Sequence, residues 1–403
     1  HLSIRRQRQM CIRDRFLDSR FPARFEHLAP ALAERVGVQV VSMGEADAPR
    51  LPGVRHHLHY APPRATPDQT HTYLKPLDAA VRRGQAAASR MIEARDKEGL
   101  APDIVICPAG SGEALYVKDV FPHARVLQVC DGYEDGQDPA SGPAPGVDTK
   151  ARLRTRNAAQ LLALDAADWG FAPTEWQRGR YPDWARRRIT TIPEGIDTAR
   201  CTPRANLPFR TPAGQEFRKG DKVISFAARN LEPHRGIGPF LGALALLQKE
   251  HPDLQAVVVG GEDAPKPATL DLSRIHFTGT LPQDALHALF RVTAVHIHLT
   301  ERPTLSRSVL EAMACGAVVV GSDTPPVTEV IAHGENGLLV PFGDSAAIAR
   351  AVLGVVADPD AHAHLAEAGR QTIVARHDLY GVCLPRQLEL IERVAAGLTA
   401  EEM

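Results

Sequence analysis

The stretch Val295–Val320, VHIHLTERPTLSRSVLEAMACGAVVV, decides the fold. It opens with an alternating apolar run that suits a strand, breaks at Glu301-Arg302-Pro303, and resumes near Ser306 with Leu305, Val309, Ala312 and Met313 at helical spacing. Thr304 and Ser306 are both good N-cap residues, and Glu311 falls on the same helix one to two turns in. A second strand, Ala317 to Val320, follows Gly316, after which Gly321-Ser322-Asp323-Thr324-Pro325-Pro326 turns the chain into another helix. A βαβα unit of this kind aims a helix N-terminus at the crevice beyond the carboxyl ends of parallel strands, where free N–H groups and the helix dipole favour a phosphate. From spacing alone, a ligand site and a generic α/β core with a capped helix are equally open.

The whole chain bounds the answer further. At 403 residues it is long for one core and comfortable for two domains. Charged residues at 24% and apolar ones at 44% are ordinary for a globular protein, and a formal charge of -1 gives no global basic field for nucleic acid. Six cysteines are scattered without a C-x-x-C pair, which favours reduced thiols in a cytoplasmic protein over a disulfide framework or a zinc site. No apolar run approaches the ~20 residues that span a bilayer, leaving peripheral contact as the mode open at a membrane.

Read in order, residues 1–15 carry five arginines and no periodic pattern, and are expected to be a flexible or foreign segment. Only Phe16-Leu17 reads as the remnant of a first strand. Strands are expected at Val38–Met43, Val54–Tyr60, Asp103–Cys107, Arg125–Val129, Trp169–Pro173 and Ile189–Pro193, with helices over Tyr73–Ala94 and Arg152–Ala167. The run 136–147, rich in Pro, Gly and Asp, reads as a loop, either a mobile flap or plain disorder. Pro203, Pro208 and Pro212 mark residues 202–214 as the linker. A second alternation of strands and helices then begins at Val223. The domains expected are 16–203 and 204–378, with a helix in 379–403 crossing back to the first. The Asp358-Pro359-Asp360 triplet between two helices reads as a cap, and no zinc-spaced cluster, Walker A or G-x-S-x-G is present.

Glu311-Ala312-Met313-Ala314-Cys315-Gly316, followed by Asp323 and Glu329-Val330, resembles the donor-site signature of the retaining family 4 glycosyltransferases of GT-B fold. In that signature a glutamate normally stands eight residues before the second; here that position is Pro303, and the nearest carboxylate is Glu301. Pro303-Thr304-Leu305-Ser306-Arg307-Ser308 is similar to a subgroup reading Pro-x-x-Leu-Ser-x-Ser, which also carries elements like Arg20-Phe21-Pro22-Ala23-Arg24-Phe25 and Gly110-Ser111-Gly112-Glu113. The resemblance implies two doubly wound, Rossmann-like α/β domains facing across a cleft. It implies a hexosyltransferase-type enzyme, retaining and metal-independent, moving a sugar from a nucleotide-diphosphate sugar to a glycan, lipid-linked or small-molecule acceptor. No cofactor is implied beyond the donor itself.

The same resemblance assigns roles. Arg229 and Arg235, after the strand at Val223, would stabilise the leaving diphosphate, since two fixed cations offset the charge that cleavage leaves there. Gly236, Gly279, Thr280, Leu281, Thr304, Leu305 and Ser306 would line the donor site, and Glu311 would accept the ribose hydroxyls. Glu301, two residues before Pro303, shares its side of an extended segment and is the expected substitute for the missing glutamate, with Ser306, Arg307 and backbone groups as the alternative. On the acceptor side the resemblance points to Glu113 and to Asp131 or Tyr133, where many family members have a histidine. That missing histidine and Pro303 leave open a sugar-nucleotide-binding protein without transferase activity. A nicotinamide oxidoreductase is disfavoured, because no G-x-G-x-x-G follows the first strand.

Overall fold

Short runs of Val, Ile and Ala buried on both faces satisfy their main chains as parallel strands covered by helices, and the described residues of this chain build two such sheets. The computed structural model describes residues 12–18, 21–45, 51–54, 56–61, 65–134, 136, 146–204, 207–261, 267–301 and 305–397. The chain divides into two units: the first runs to Ile192 and resumes at Leu384, and the second is Pro193–Cys383.

The first unit holds β1 (Ile12–Leu17), β2 (Val38–Glu45), β3 (His56–Tyr60), β4 (Ile104–Pro108), β5 (Arg125–Val129), β6 (Trp169–Ala172) and β7 (Ile189–Thr191). They pair in the order β3-β2-β1-β4-β5-β6-β7, parallel throughout. The position of β1 corrects the reading of residues 1–15. Ile12 lies opposite Val38 and Leu17 opposite Met43 on one side, while Asp14 to Phe16 pair with Ile104 to Ile106 on the other. Pairing is made by main-chain groups, so an arginine-rich stretch without an apolar pattern still fills a gap between two strands. Residues 1–11 lie outside the described residues. The helix expected over Arg152–Ala167 is two, Val147–Arg156 and Ala158–Ala166, with Asn157 between them donating its side-chain amide to the Glu134 carbonyl at 2.7 Å.

The second unit begins with a hairpin, β8 (Phe209–Arg210) against β9 (Glu216–Phe217). Its sheet comprises β10 (Val223–Ala227), β11 (Gln255–Val259), β12 (Ile275–Gly279), β13 (Val295–His298), β14 (Val318–Ser322) and β15 (Leu338–Val340), in the order β12-β11-β10-β13-β14-β15. Counted from β10, that is the 3-2-1-4-5-6 order of a doubly wound nucleotide-binding sheet. Alternation along the strands sorts the core into two faces. Ile224, Phe226, Ala256 and Val258 pack with Phe240 and Leu244 on one, and Val223, Val257 and Val259 with Phe290, Val309 and Met313 on the other. Asp344 and Asp358 cap the helices Ser345–Ala357 and Pro359–His377, their side chains accepting from Ala347 N and Ala361 N.

The expected linker is part of the second unit instead. Phe209 and Phe217 are 1% and 3% exposed within its core, as is Cys201 at 2%. The segment before the hairpin is fastened through its carbonyls, Arg291 donating to the oxygens of Arg200 and Thr202, and Arg370 to those of Cys201 and Ala314. Prolines broke the periodic pattern there, but two buried phenylalanines and three carbonyl contacts need no periodicity. At the other end, the helix Leu384–Ala395 belongs to the first unit, where Arg386 donates to the Thr191 carbonyl at 2.8 Å and Arg35 pairs with Glu392. No helix among the described residues is long and apolar enough to cross a membrane.

Phe209→Ala is expected to destabilise the protein by about 3–5 kcal/mol, the usual cost of deleting a buried phenylalanine ring. Denaturant unfolding measures it, and a loss below ~1 kcal/mol would return residues 202–214 to the status of a linker.

Candidate active site

In a doubly wound sheet, neighbouring strands whose connections leave in opposite directions open a crevice at their carboxyl ends. In the second unit that pair is β10 and β13. The loop after β10 carries Arg229, exposed, and Arg235, half-buried at the end of a single 3-10 turn, Pro233–Arg235. Gly236 follows at φ 78° and starts the helix Ile237–Glu250. A Cβ there would stand 2.3 Å from Leu299 Cβ, so only glycine lets the loop lie against the end of β13. The two loops are joined directly, Glu301 N donating to the His234 carbonyl at 3.0 Å. Arg235 and Glu301 are thereby held at one strand-end crevice, and the Glu301 carboxylate makes no ion pair among the described residues.

Beneath this crevice β13 contributes two buried histidines. His296 is 2.9 Å from the Ser225 hydroxyl through Nδ1 and lies edge-on to Phe290, while His298 sits at the strand end facing Arg235. Burial, with the neighbouring His298, pushes His296 down to about 3; burial, with the Arg235 charge, pushes His298 down to about 4. Both rings are therefore neutral at physiological pH, and the Nε2 of each finds no hydrogen-bond partner among the described residues.

The helix Arg307–Ala314 is capped by Ser306, whose Oγ accepts from Ser308 N at 3.4 Å and lies 2.9 Å from the Ser308 hydroxyl. Leu305 packs against the core beside it. Thr304 and Pro303 lie outside the described residues. Glu311 is 5% exposed and accepts from Gln283 Nε2 at 3.1 Å, with Arg307 3.8 Å away. Gln283 opens the helix Gln283–Val292, so Gly279, Thr280 and Leu281, which immediately precede it, come to the same end of the sheet as Glu311.

Two side chains at Glu311 escaped the sequence reading. His287 Nε2 stands 3.8 Å from the Glu311 carboxylate and 3.2 Å from Cys201 Sγ. Burial would depress the His287 imidazole, but its contacts with Cys201 and Glu311 push it up to about 9. The three donor atoms all lie within 4.8 Å of one another, although no zinc-like spacing exists in the chain. Cys201 and His287 are 86 positions apart, so only the folded chain shows them together.

The first unit has a corresponding crevice between β1 and β4. A cavity of about 350 Å³ at the carboxyl ends of β4 and β5 is lined by Gly110, Ser111, Asp131, Arg156, Asn157 and Gln160, among others. Arg24, from the Phe-Pro element after β1, pairs with Asp131 and lies 3.5 Å from Asp18. Tyr133 instead packs its ring on Tyr181, with centroids 5.5 Å apart. Glu113 departs from expectation: it is fully buried, accepting from the Tyr60 hydroxyl at 3.1 Å with Arg83 3.9 Å away. It has no surface with which to meet an acceptor, and it supports from beneath the loop whose Ser111 carbonyl Arg83 also grips at 2.8 Å.

Residues 36–201 match the family model described as glycosyl transferase family 4 group, and residues 210–372 the one described as glycosyl transferases group 1. Phosphatidyl-myo-inositol mannosyltransferase of Mycolicibacterium smegmatis is 30% identical over 217 residues, 52% of this chain and 53% of that protein. Alpha-maltose-1-phosphate synthase of the same organism is 27% identical over 262 residues, 59% of this chain and 66% of that protein. The chain spans about half the length of the curated relatives it matches. Among solved structures, sucrose-phosphate synthase from Thermosynechococcus elongatus superposes with a TM-score of 0.72 at 18% identity, over 96% of this chain and 100% of that one. Anabaena Alr3699/HepE in complex with UDP-glucose gives 0.65, also at 18% identity, over the same shares. At that identity the likeness is one of fold, the GT-B fold of two doubly wound α/β domains expected from the sequence.

Because His296 and His298 are neutral when buried and titrate near 6.5 when unfolded, the unfolded chain binds more protons between about pH 6.5 and pH 4. Stability should fall on acidification through that window, by roughly 1.4 kcal/mol per pH unit for each histidine. In His298→Gln the slope of unfolding free energy against pH should be shallower there and unchanged above pH 7. An identical slope in wild type and variant would show that His298 is not held neutral.

Proposed function

We propose that this chain, whose residues 36–201 match the glycosyl transferase family 4 group model and residues 210–372 the glycosyl transferases group 1 model, transfers a sugar from a nucleotide-diphosphate donor to an acceptor hydroxyl with retention. In this reaction the bond from the anomeric carbon to the diphosphate breaks, its electron pair leaves on the phosphate oxygen, and the acceptor oxygen bonds to that carbon as its proton passes to the departing phosphate. What supports transfer most directly is the placement of Arg229 and Arg235 at the β10–β13 crevice. Their fixed charge meets the diphosphate as it becomes more negative, so they hold the transition state more tightly than the donor. The electrostatic work falls to arginine rather than to a cation bound at the diphosphate.

The remaining donor groups divide the ligand between them. Free amides at the start of the helix Arg307–Ala314 face the phosphates. Glu311, a carboxylate held by Gln283, takes the ribose hydroxyls, and the backbone at Gly279, Thr280 and Leu281 takes the base. For the sugar, the Ser306 hydroxyl is already engaged in its helix cap, which favours Glu301 as the group that replaces the missing glutamate. Acceptor recognition is assigned to the first-unit cavity, with Asp131, oriented by Arg24, as its reactive carboxylate. The acceptor is a glycan, a lipid-linked molecule or a small molecule; the described cysteines, all buried and none in a disulfide, fit a cytoplasmic enzyme. UDP-sugars are the first donors to try, since a structural neighbour binds UDP-glucose.

Arg229→Ala and Arg235→Ala should each lower turnover by about 3 kcal/mol, or ~100-fold, with melting temperature nearly unchanged. Steady-state turnover on a UDP-sugar panel reads this, and wild-type rates in both variants would remove the diphosphate role. For Glu301→Ala the expectation is a large loss of transfer while the affinity for free nucleotide is kept. Wild-type transfer in that variant would reassign the sugar to Arg307 and backbone groups.

A further inference from the structure

The pairing of β13 with β14 ends at His298 opposite Gly321, one residue short of the end of β14, where Ser322 pairs on its other side with Val340. Beyond that point the chain of β13 has left the ladder, and the main-chain groups of Thr300, a residue with no exposed surface, need partners of another kind. One side chain supplies them. Ser322 Oγ, itself fully buried, accepts from Thr300 N at 3.1 Å and donates to the Thr300 carbonyl at 3.1 Å. It also lies 3.1 Å from the Thr324 hydroxyl, which acts as donor because the Ser322 proton is already engaged. Two bonds accepted and one donated use the whole capacity of a hydroxyl.

The peptide unit joining Thr300 to Glu301 is thereby held at both of its polar atoms. Its carbonyl accepts from Ser322 on β14, and its N–H, that of Glu301, donates at 3.0 Å to the His234 carbonyl in the loop after β10. A planar unit fixed at both atoms cannot rotate, and its plane sets the direction in which Glu301 presents its side chain. We infer that Ser322 is a positioning residue for Glu301: its hydroxyl aims the carboxylate assigned to the donor sugar while touching neither donor nor sugar. This role rests on the transfer reading and on the part given there to Glu301. It also accounts for a hydroxyl in a strand whose other side chains are three valines, since burying a hydroxyl costs free energy unless it is bonded, and two of the three bonds of Ser322 go to the residue before Glu301.

A displacement of about 1 Å at a group that positions substrate costs on the order of 10²-fold in rate, so Ser322→Ala should lower nucleotide release from a panel of UDP-sugars by ~100-fold. The decisive measurement is a double-mutant cycle on the full chain. In the Glu301→Ala background, Ser322→Ala should cost no more than about twofold, because nothing is left for the hydroxyl to aim. A hydroxyl that only stabilises the fold would cost the same factor in both backgrounds, and that result would overturn the role. Amide exchange read by mass spectrometry, which needs neither donor nor acceptor, should be faster at Thr300 and Glu301 in Ser322→Ala than in wild type; unchanged exchange there would overturn it as well. Should Ser322→Ala unfold, Ser322→Cys goes through the same cycle, since a thiol keeps a weaker donor and acceptor in the same place. A wild-type chain that releases no nucleotide from any sugar nucleotide sinks the transfer reading, whereas wild-type turnover in Ser322→Ala sinks the positioning role alone.

Discussion

Adjacent parallel strands must send their chains somewhere, and β10 and β13 send theirs to opposite sides of the second sheet. The gap this leaves is the constraint on which the donor site depends. Every group proposed for the diphosphate or the sugar arrives by way of a strand end: the arginine loop from β10, and Glu301 and the Ser306-capped helix from β13. The hydrogen bond from Glu301 N to the His234 carbonyl joins the two loops, so neither can shift without the other. Gly236 is the geometric condition of that union, because any side chain there would occupy the place of Leu299.

Charge is arranged in layers around the gap. At the surface are two guanidinium groups on a chain whose formal charge is only -1. Directly below lie the neutral imidazoles of His298 and His296, kept from protonation by burial, with the Arg235 charge acting on His298 and His298 acting on His296. A charged imidazolium at His298 would oppose Arg235, so its neutrality leaves the arginine charge facing outward toward an anion. Around Glu311 the polarity is reversed, with a carboxylate and a protonated imidazole compensating each other in the interior.

Much of this was legible in the chain. The alternation at Val295, the cap at Ser306 and the apolar spacing to Met313 are local signals, and local signals survive folding unchanged. Most strands of both sheets were found because parallel strands are continuous apolar runs. Features made by distant residues were not legible. Cys201 and His287 carry no mutual spacing, and Glu113 read as a cleft residue because the Tyr60 and Arg83 that enclose it lie 53 and 30 positions earlier in the chain. The hairpin around Phe209 was hidden by prolines, and β1 by arginines. In both cases the organising force was main-chain pairing or burial against another element, neither of which leaves a periodic mark.

The first unit resumes in the chain only after Pro193–Cys383 of the second. The helix Leu384–Ala395, with Leu388, Ile391 and Val394 buried, is the last described helix of the first unit, yet it is made after all of Pro193–Cys383. Chains emerge from the ribosome amino end first, and domains generally fold as units. The second unit can therefore close while the first still waits, its strands assembled but the face that receives the final helix uncovered. During synthesis the part of the protein most exposed to mispairing and aggregation is the half that was made first.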